Sequence, residues 1–162
     1  MARAMWVLVM TVLCSCSTTT MSTKASTAPG VKDVMEIDEI KEALARYEQA
    51  LNASDVDAVL ALYGREPVFM PQHAPAMIGR DAVRRAYEQV FATIRLDVRF
   101  EVHEVEVRGD RAWARTSSAG RTTLLASGEH SDEGNNELFV LIEEDGHWRI
   151  HRYLFATNQP PR

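Results

Sequence analysis

Glu137 is a carboxylate inside an otherwise apolar strand pattern, where it alternates in phase with Phe139 and Leu141. A carboxyl group on a face that lines a cavity loses hydration, which raises its pKa and makes it an acid or a hydrogen-bond donor. An exposed edge position, or a salt bridge to Arg152 or Arg121, would account for the same carboxylate without any chemistry. The pattern leaves both interpretations open.

Tyr47 and His73 are further candidates for hydrogen-bond or acid–base chemistry. Tyr47 falls on the apolar stripe of a helix with Leu44 and Leu51, where a core tyrosine with a satisfied hydroxyl is the alternative. His73 lies in a proline-flanked loop, and an imidazole suits general-base work near neutral pH. A solvated loop histidine is the alternative at that position.

Aromatic and apolar side chains could supply the wall of a ligand pocket. His151 and Tyr153 share parity with Phe155 on the last strand, so they would be polar points on an apolar wall. The opposite face of the sheet, in a dimer contact, is the alternative for these residues. The other candidates for pocket wall, each also compatible with plain core, are Tyr63, Phe69, Met77, Phe91, Trp113 and Phe139.

Composition and motifs argue against several other kinds of site. The 162 residues include 23 acidic and 18 basic side chains, for a net charge of -5, with no run of Lys or Arg that would attract a phosphate backbone. The histidines are isolated and both cysteines precede residue 17, so no zinc-ligand spacing is present. The sequence also lacks a P-loop, a dinucleotide fingerprint and a nucleophile elbow. It therefore predicts no nucleic-acid partner, no metal and no cofactor.

Apolar spacing predicts three helices. The apolar residues of 37–51 recur at intervals of three and four, which places them on one face of a first helix. A second helix would begin with Ser54 as its N-cap and end at Gly64, and a third would follow Gly79.

Alternating patterns predict a short strand and then four antiparallel strands. The apolar phase switches between residues 96–102 and 105–107, which indicates a β-bulge near His103 or Glu104. Asp145-Gly146 predicts a tight hairpin, and residues 129–134 form a polar loop. The predicted strands cover residues 67–70, 96–107, 113–125, 137–142 and 148–155. Helices followed by such a meander predict an α+β domain.

The N-terminus is typical of an exported protein. Arg3 precedes a short apolar run at residues 6–13, which is too short for a spanning helix of about 20 residues. Leu13-Cys14-Ser15-Cys16 resembles a bacterial lipobox, with Cys14 in place of the usual small residue, so Cys16 is the candidate lipidation site.

These features divide the chain into a signal peptide at residues 1–16, a Ser/Thr-rich tether at residues 17–33 and a folded domain at residues 34–160. The expected location is the cell envelope as a lipoprotein, or the periplasm or medium, with membrane contact only through the anchor. Translation from Met21 would instead give a cytoplasmic protein.

Motifs spread over the predicted domain resemble the nuclear transport factor 2-like superfamily, most closely its ketosteroid-isomerase-like and SnoaL-like branches. The resemblance implies a conical fold, with three N-terminal helices packed in the concave face of a curved, mostly antiparallel sheet. It also implies a pocket at the open end of the cone and a homodimer paired through the sheet. The matching motifs are Arg46-Tyr47, Ala50-Leu51-Asn52, Asp55, Leu62-Tyr63, residues 78–83, 136–139 and 145–150, and Tyr153-Leu154-Phe155.

The same resemblance implies roles for two of the candidates. In ketosteroid isomerases a tyrosine and a protonated acid donate hydrogen bonds to a developing enolate oxygen. Tyr47 matches the tyrosine position and Glu137 the acid position, whereas Pro71 stands where the general base would be. Proline cannot accept a proton, so the resemblance lacks the general base of the usual steroid isomerisation, and we hypothesise that His73 replaces it.

The combined expectation is a small-molecule pocket protein that binds a small apolar carbonyl compound. One alternative is a cofactor-free isomerase, dehydratase or cyclase in which Tyr47 and Glu137 act as oxyanion donors. Another is a non-catalytic dimeric interaction module. The sequence leaves open whether the protein is an enzyme.

Overall fold

The computed structural model describes residues 31–159, which form three helices and one six-stranded sheet. The helices are α1 (Val31–Asn52), α2 (Val56–Leu62) and α3 (Arg80–Thr93). The strands are β1 (Tyr63–Met70), β2 (Met77–Ile78), β3 (Ile94–Arg108), β4 (Arg111–Leu124), β5 (His130–Glu144) and β6 (His147–Thr157). The predicted signal peptide, the candidate lipidation site Cys16 and most of the tether lie outside the described residues, while α1 begins within the predicted tether.

The sheet is mixed, because β1 pairs in parallel with β6 and all the other neighbouring strands are antiparallel. Its strand order is β2-β1-β6-β5-β4-β3. The three helices pack on the concave side of this curved sheet, which confirms the predicted fold class. None of the helices within residues 31–159 has the length and apolar character needed to cross a membrane.

Helix α1 supplies the centre of the core through the stripe that its sequence predicts. Ile40, Leu44, Tyr47 and Leu51 are all buried, and they contact the concave face of the sheet. Ile37, one turn earlier, is only half-buried.

The second helix differs from its prediction at both ends. Asp55, and not Ser54, is the N-cap: its Oδ1 accepts a hydrogen bond from Ala58 N at 2.9 Å. Ser54 adopts a left-handed conformation with φ of 54° in the preceding turn. The helix ends at Leu62, and Tyr63 already pairs with Ile150 of β6, so Gly64 lies in a strand. Pairing with β6 overrides the helical spacing that Tyr63 continues.

Arg80 stabilises this abrupt change from helix to strand. Its guanidinium donates hydrogen bonds of 3.0 Å to the carbonyl oxygens of Leu60, Tyr63 and Gly64. Carbonyl groups at the end of a helix lack intrahelical partners. The side chain of Arg80 on α3 therefore supplies the hydrogen bonds that these carbonyl groups at the end of α2 would otherwise lack.

The predicted bulge in β3 is present, since the pairing with β4 shifts between Val102 and Glu104. The polar stretch 129–134 was predicted as a loop, but β5 begins at His130 and its first half pairs with β4. Hydrophobic alternation could not indicate this half-strand because its residues are polar. Its pairing comes instead from the long β4 strand beside it.

A second bulge, in β6, changes the direction of one candidate side chain. Leu141 pairs with Ile150 and Val140 pairs with Arg152, which leaves His151 as the extra residue. Ile150 and Tyr153 are both buried on the concave side. Because of the extra residue, His151 and Tyr153 no longer point to the same face of the sheet, as simple alternation had predicted.

Strand β3 is an edge of the sheet, and α1 covers part of that edge with hydrogen bonds. Asn52 Nδ2 donates to Val98 O at 2.8 Å, and Val98 N donates to Asn52 Oδ1 at 2.9 Å. Phe100 N donates to Glu48 Oε2 at 2.7 Å. Backbone groups that would otherwise be open to pairing with another chain are thus satisfied from within the fold.

Candidate functional site

A cavity of about 180 Å³ lies between the sheet and helices α1 and α3. Its apolar wall comes from α1, α3 and β3, and aromatic side chains of β1, α3 and β6 close one side: Phe69, Tyr87, Tyr153 and Phe155. The polar side chains of the lining all come from β4 and β5, apart from the tyrosines: Ser118, Thr122, Glu133, Asn135 and Glu137.

Glu137 is the buried carboxylate of this cavity, with 5% of its surface exposed. Thr116 Oγ1 donates to its Oε2 at 2.7 Å, while Ser118 Oγ and Tyr153 OH donate to its Oε1 at 2.8 and 3.2 Å. Burial raises the pKa of Glu137, and the hydrogen bonds from Thr116, Ser118 and Tyr153 offset only part of that rise. The carboxyl group therefore has the environment predicted for a cavity wall, and its partners are hydroxyls and not the arginines considered as alternatives.

Tyr47 belongs to a chain of three buried tyrosine hydroxyls. The hydroxyl of Tyr87 is hydrogen-bonded to that of Tyr47 on one side and to that of Tyr63, at 2.9 Å, on the other. Burial is the largest of the causes that raise the pKa of each of the three phenols well above its ordinary value, so all three stay protonated. Of the three, only Tyr87 lines the cavity.

Tyr87 was not among the candidates, since the sequence indicated only that a helix follows Gly79. A buried tyrosine needs a partner for its hydroxyl, and this requirement could have singled it out. The structure places its hydroxyl between those of the two predicted tyrosines, so the hydrogen bond of Tyr47 reaches the cavity only through Tyr87, while the ring of Tyr47 packs edge-on against Tyr153.

Four aromatic rings form one stack across the interior of the cone. Tyr87 and Phe69 lie 5.1 Å apart between ring centroids, Phe69 and Tyr153 lie 5.5 Å apart, and Tyr153 and Phe139 lie 4.2 Å apart. The interplanar angles are 15°, 7° and 9°. The stack fixes the ring of Tyr153 and hence the position of the hydroxyl that donates to Glu137. It also fills part of the interior, which leaves less room for a ligand.

His73 and Trp113, both predicted site residues, lie outside the cavity lining. His73 is exposed in the turn after β1, with φ of 61°, and its ring nitrogens lie 3.3 Å from Gln72 Nε2. Trp113 is half-buried on the convex face, because Ala112 and Ala114 on either side of it are the residues that point inward.

His151 also leaves the concave face, at the β6 bulge. Its pKa is lowered, first by burial and then by the neighbouring charges of Arg152 and Arg111, with Glu144 and Glu66 acting in the opposite sense. Met77 and Phe91, also predicted as pocket wall, are half-buried against the core without lining the cavity.

A family model for the SnoaL-like domain matches residues 44–152. The chain belongs to this family. A ketosteroid isomerase-like protein from Erwinia carotovora atroseptica is 32% identical, with a TM-score of 0.74 over 77% of this chain and 98% of that one. These matches confirm the resemblance that the sequence motifs indicated.

More distant solved structures support the fold of this SnoaL-like protein. A putative dehydratase of the nuclear transport factor 2-like family from Streptomyces avermitilis is 14% identical, with a TM-score of 0.70 over 78% of this chain and 99% of that one. A protein of unknown function from Mycobacterium tuberculosis is 23% identical, with a TM-score of 0.68 over 83% and 79%. None of the curated proteins matches the sequence.

The SnoaL-like cavity offers hydroxyls and carboxylates but no grouped metal ligands. Within residues 31–159, no three His, Cys, Asp or Glu side chains are grouped closely enough to hold an ion. Pro71 directly follows β1, at the position where the resemblance places a base, and His73 lies outside the cavity. Glu137 is therefore the group in this site that is best placed to give or take a proton.

Replacing Tyr87 by phenylalanine should cost more stability than replacing Tyr47 by phenylalanine. Tyr87→Phe removes the central hydroxyl, so the hydroxyls of Tyr47 and Tyr63 both lose their hydrogen bond to Tyr87. Tyr47→Phe leaves the hydrogen bond between Tyr87 and Tyr63 intact. Since a buried unsatisfied hydroxyl costs about 1–3 kcal/mol, we expect a loss of about that size for Tyr87→Phe. Urea unfolding of the two variants makes the comparison, and equal losses would show that the hydroxyl chain does not act as one unit.

Proposed function

We propose that this SnoaL-like protein binds a small, mostly apolar molecule, about the size of one substituted ring, through one hydrogen-bonding oxygen that faces Glu137. The observation that carries the proposal is a buried carboxyl group on the wall of a cavity that is otherwise largely apolar and aromatic. Binding sites for small molecules commonly combine such a wall with a few polar groups that fix orientation.

The size of the cavity supports a one-ring ligand. Its volume of about 180 Å³ is close to that of an engineered apolar protein cavity of about 150 Å³ that binds benzene. A fused-ring steroid needs far more room than this. The aromatic stack that includes Phe69 and Tyr153 occupies the interior where a larger ligand would lie.

The hydrogen bonds of Glu137 determine what kind of oxygen the ligand carries. An ionised carboxylate has about four acceptor positions, and three are occupied by Thr116, Ser118 and Tyr153. The remaining position accepts a hydrogen bond from a ligand hydroxyl. Protonated Glu137 would instead donate to a carbonyl oxygen, so both alcohols and ketones fit, in different protonation states.

A cofactor-free isomerase, dehydratase or cyclase is the second candidate function. The raised pKa of Glu137 favours it, because a carboxyl group that titrates closer to neutrality can both give and take a proton during a reaction. The hydroxyl of Tyr47 is already bound to Tyr87, so Glu137 would be the group that contacts the reacting oxygen.

Pairing of two copies through the sheet, and export through the N-terminus, stay proposals. The convex face supports the first, since Trp113, Leu138 and Val140 are half-buried there and Leu154 is 37% exposed. Such a face would suit a second copy of the chain while leaving the concave cavity open to ligand.

Titration with 4-ethylphenol, followed by calorimetry, tests the proposed binding. We expect saturable binding with a millimolar or tighter dissociation constant, because a ligand of this size buries only a small area. Val90→Phe should abolish it, since Val90 lines the cavity and the larger side chain would fill it.

The matched control is Val34→Phe, the same change at an exposed position near the start of α1, outside the cavity lining. It should leave binding unchanged. Absence of saturable binding to the wild-type protein, or equal binding by the Val90→Phe variant, would count against the proposed function.

A further inference from the structure

Thr122 lines the cavity and carries a buried polar atom that has no partner among the described residues. The side chain lines the cavity and is only 6% exposed, and its Oγ1 is buried without a hydrogen bond to any described residue. Native structures satisfy most buried hydroxyls with protein or with another bound molecule, so an unsatisfied one calls for an explanation.

The other polar groups around the cavity are already engaged within the protein. Ser118 Oγ donates to Glu137 and accepts from Asn135 Nδ2 at 3.3 Å. Ser131, which is opposite Thr122 on β5, donates to Glu133 Oε1 at 3.4 Å. Among the described residues that line the cavity, Thr122 therefore has both a donor and an acceptor to offer.

Thr122 lies at the far end of the cavity from Glu137. It faces the same side of β4 as Ser118, four residues earlier, so about 13 Å separates their Cα atoms if the strand is fully extended. On one side the wall between them is apolar, with Leu96 and Val98 on β3 and Val90 on α3, whereas Glu133 and Asn135 of β5 lie on the other side. The cavity thus has a polar group at each end and an apolar wall along β3 and α3.

The geometry points to a ligand with two oxygen functions, one that meets Glu137 and a second, uncharged hydroxyl that meets Thr122 Oγ1, on either side of one apolar ring. This inference rests on the proposed function and specifies its ligand class as hydroxylated ring compounds with oxygens at both ends. An anionic second group is disfavoured because Glu133 lies in the same lining.

This inference can be tested by measuring the affinities of two ligands for two proteins, which together form a thermodynamic cycle. The ligands are 4-ethylphenol and 2-(4-hydroxyphenyl)ethanol, which differ by one terminal hydroxyl, and the proteins are the wild type and the Thr122→Val variant. We expect the second ligand to bind the wild type about fivefold to tenfold more tightly than the first. Thr122→Val should remove this advantage, so the two ligands should bind the variant with nearly equal affinity.

Two further variants separate the hydroxyl of Thr122 from its packing. Thr122→Ser keeps the hydroxyl and should keep the advantage of the second ligand, even if it lowers stability. Thr123→Val is the matched control, because Thr123 is the next residue along β4 and its Oγ1 lies 2.9 Å from His130 Nδ1.

The possible outcomes distinguish the two proposals. Binding of both ligands with no advantage for the hydroxylated one, or an advantage that survives in Thr122→Val, overturns the role of Thr122 and leaves the proposed function standing. Failure of both ligands to bind the wild type overturns the proposed function itself.

Discussion

Gly120→Ala is expected to destabilise the protein by roughly 3 kcal/mol or more, because the added methyl group would collide with backbone. A Cβ built at Gly120 lies 2.1 Å from the carbonyl oxygen of Asp97 and 2.7 Å from the Cα of Val98. Both atoms belong to β3, which is paired with β4 along nearly its whole length. The strand cannot move aside locally without breaking that ladder.

The matched control is Gly134→Ala on the neighbouring strand. The atoms nearest to a Cβ built there belong to the side chains of Gln159 and Asn158, at 2.3 and 2.5 Å, near the end of the described chain. Exposed side chains can change rotamer, so the expected loss is about 1 kcal/mol or less. Thermal and urea unfolding of both variants gives the comparison, and similar losses would contradict the close approach of β3 to β4.

The close approach at Gly120 also bears on the cavity. Gly120 lies between Ser118 and Thr122, the two β4 residues whose polar side chains line the cavity. Glycine within a strand allows the sheet to bend sharply. Because β3 approaches β4 this closely beside the ligand site, Gly120 variants that fold only partly should also lose ligand binding.

The sequence correctly predicted those features that depend only on residues close together in the chain. The apolar stripe of α1, the bulge after Val102 and the turn at Asp145-Gly146 are all present. At that turn both residues have positive φ, 54° and 74°, as a tight two-residue hairpin requires.

Contacts that depend on strand register could not be predicted in this way. Thr116 and Ser118 looked like ordinary strand residues until the register of β4 against β5 placed Thr116 opposite Glu137. A one-residue change in that register would turn their hydroxyls away from the carboxyl group. Likewise the bulge that turns His151 outward has no local signal, because it results from how β6 matches both β5 and β1.

Glu137→Gln should remove a pH dependence from both stability and ligand choice. Burial raises the folded-state pKa of Glu137 above its ordinary value of 4.5, so the folded protein favours the protonated form. The stability contributed by this group is complete below the unfolded pKa and is lost as pH rises through the folded pKa. The glutamine variant lacks this loss, so it should be at least as stable as wild type under mildly alkaline conditions.

Urea unfolding across pH measures the stability effect, with Glu143→Gln as the control. Glu143 is an exposed glutamate on the same strand, and its replacement should leave the wild-type profile unchanged. If the profiles of Glu137→Gln and wild type run parallel from about pH 4 to about pH 9, the carboxyl group is not titrating in a buried site.

The same titration should set the choice between a ketone and an alcohol. Protonated Glu137 donates to a carbonyl oxygen, and ionised Glu137 accepts from a hydroxyl. The wild-type protein should therefore bind 4-methylcyclohexanone more tightly at low pH and 4-methylcyclohexanol more tightly as pH rises. Hydrogen bonds to charged groups contribute about 1.5–3 kcal/mol, which corresponds to a change of about tenfold or more in relative affinity. Glutamine carries both a donor and an acceptor at every pH, so the ratio measured by calorimetry should stay constant in Glu137→Gln. A constant ratio in the wild type would show that Glu137 does not contact the ligand oxygen, and it would remove the main support for proton transfer at this site.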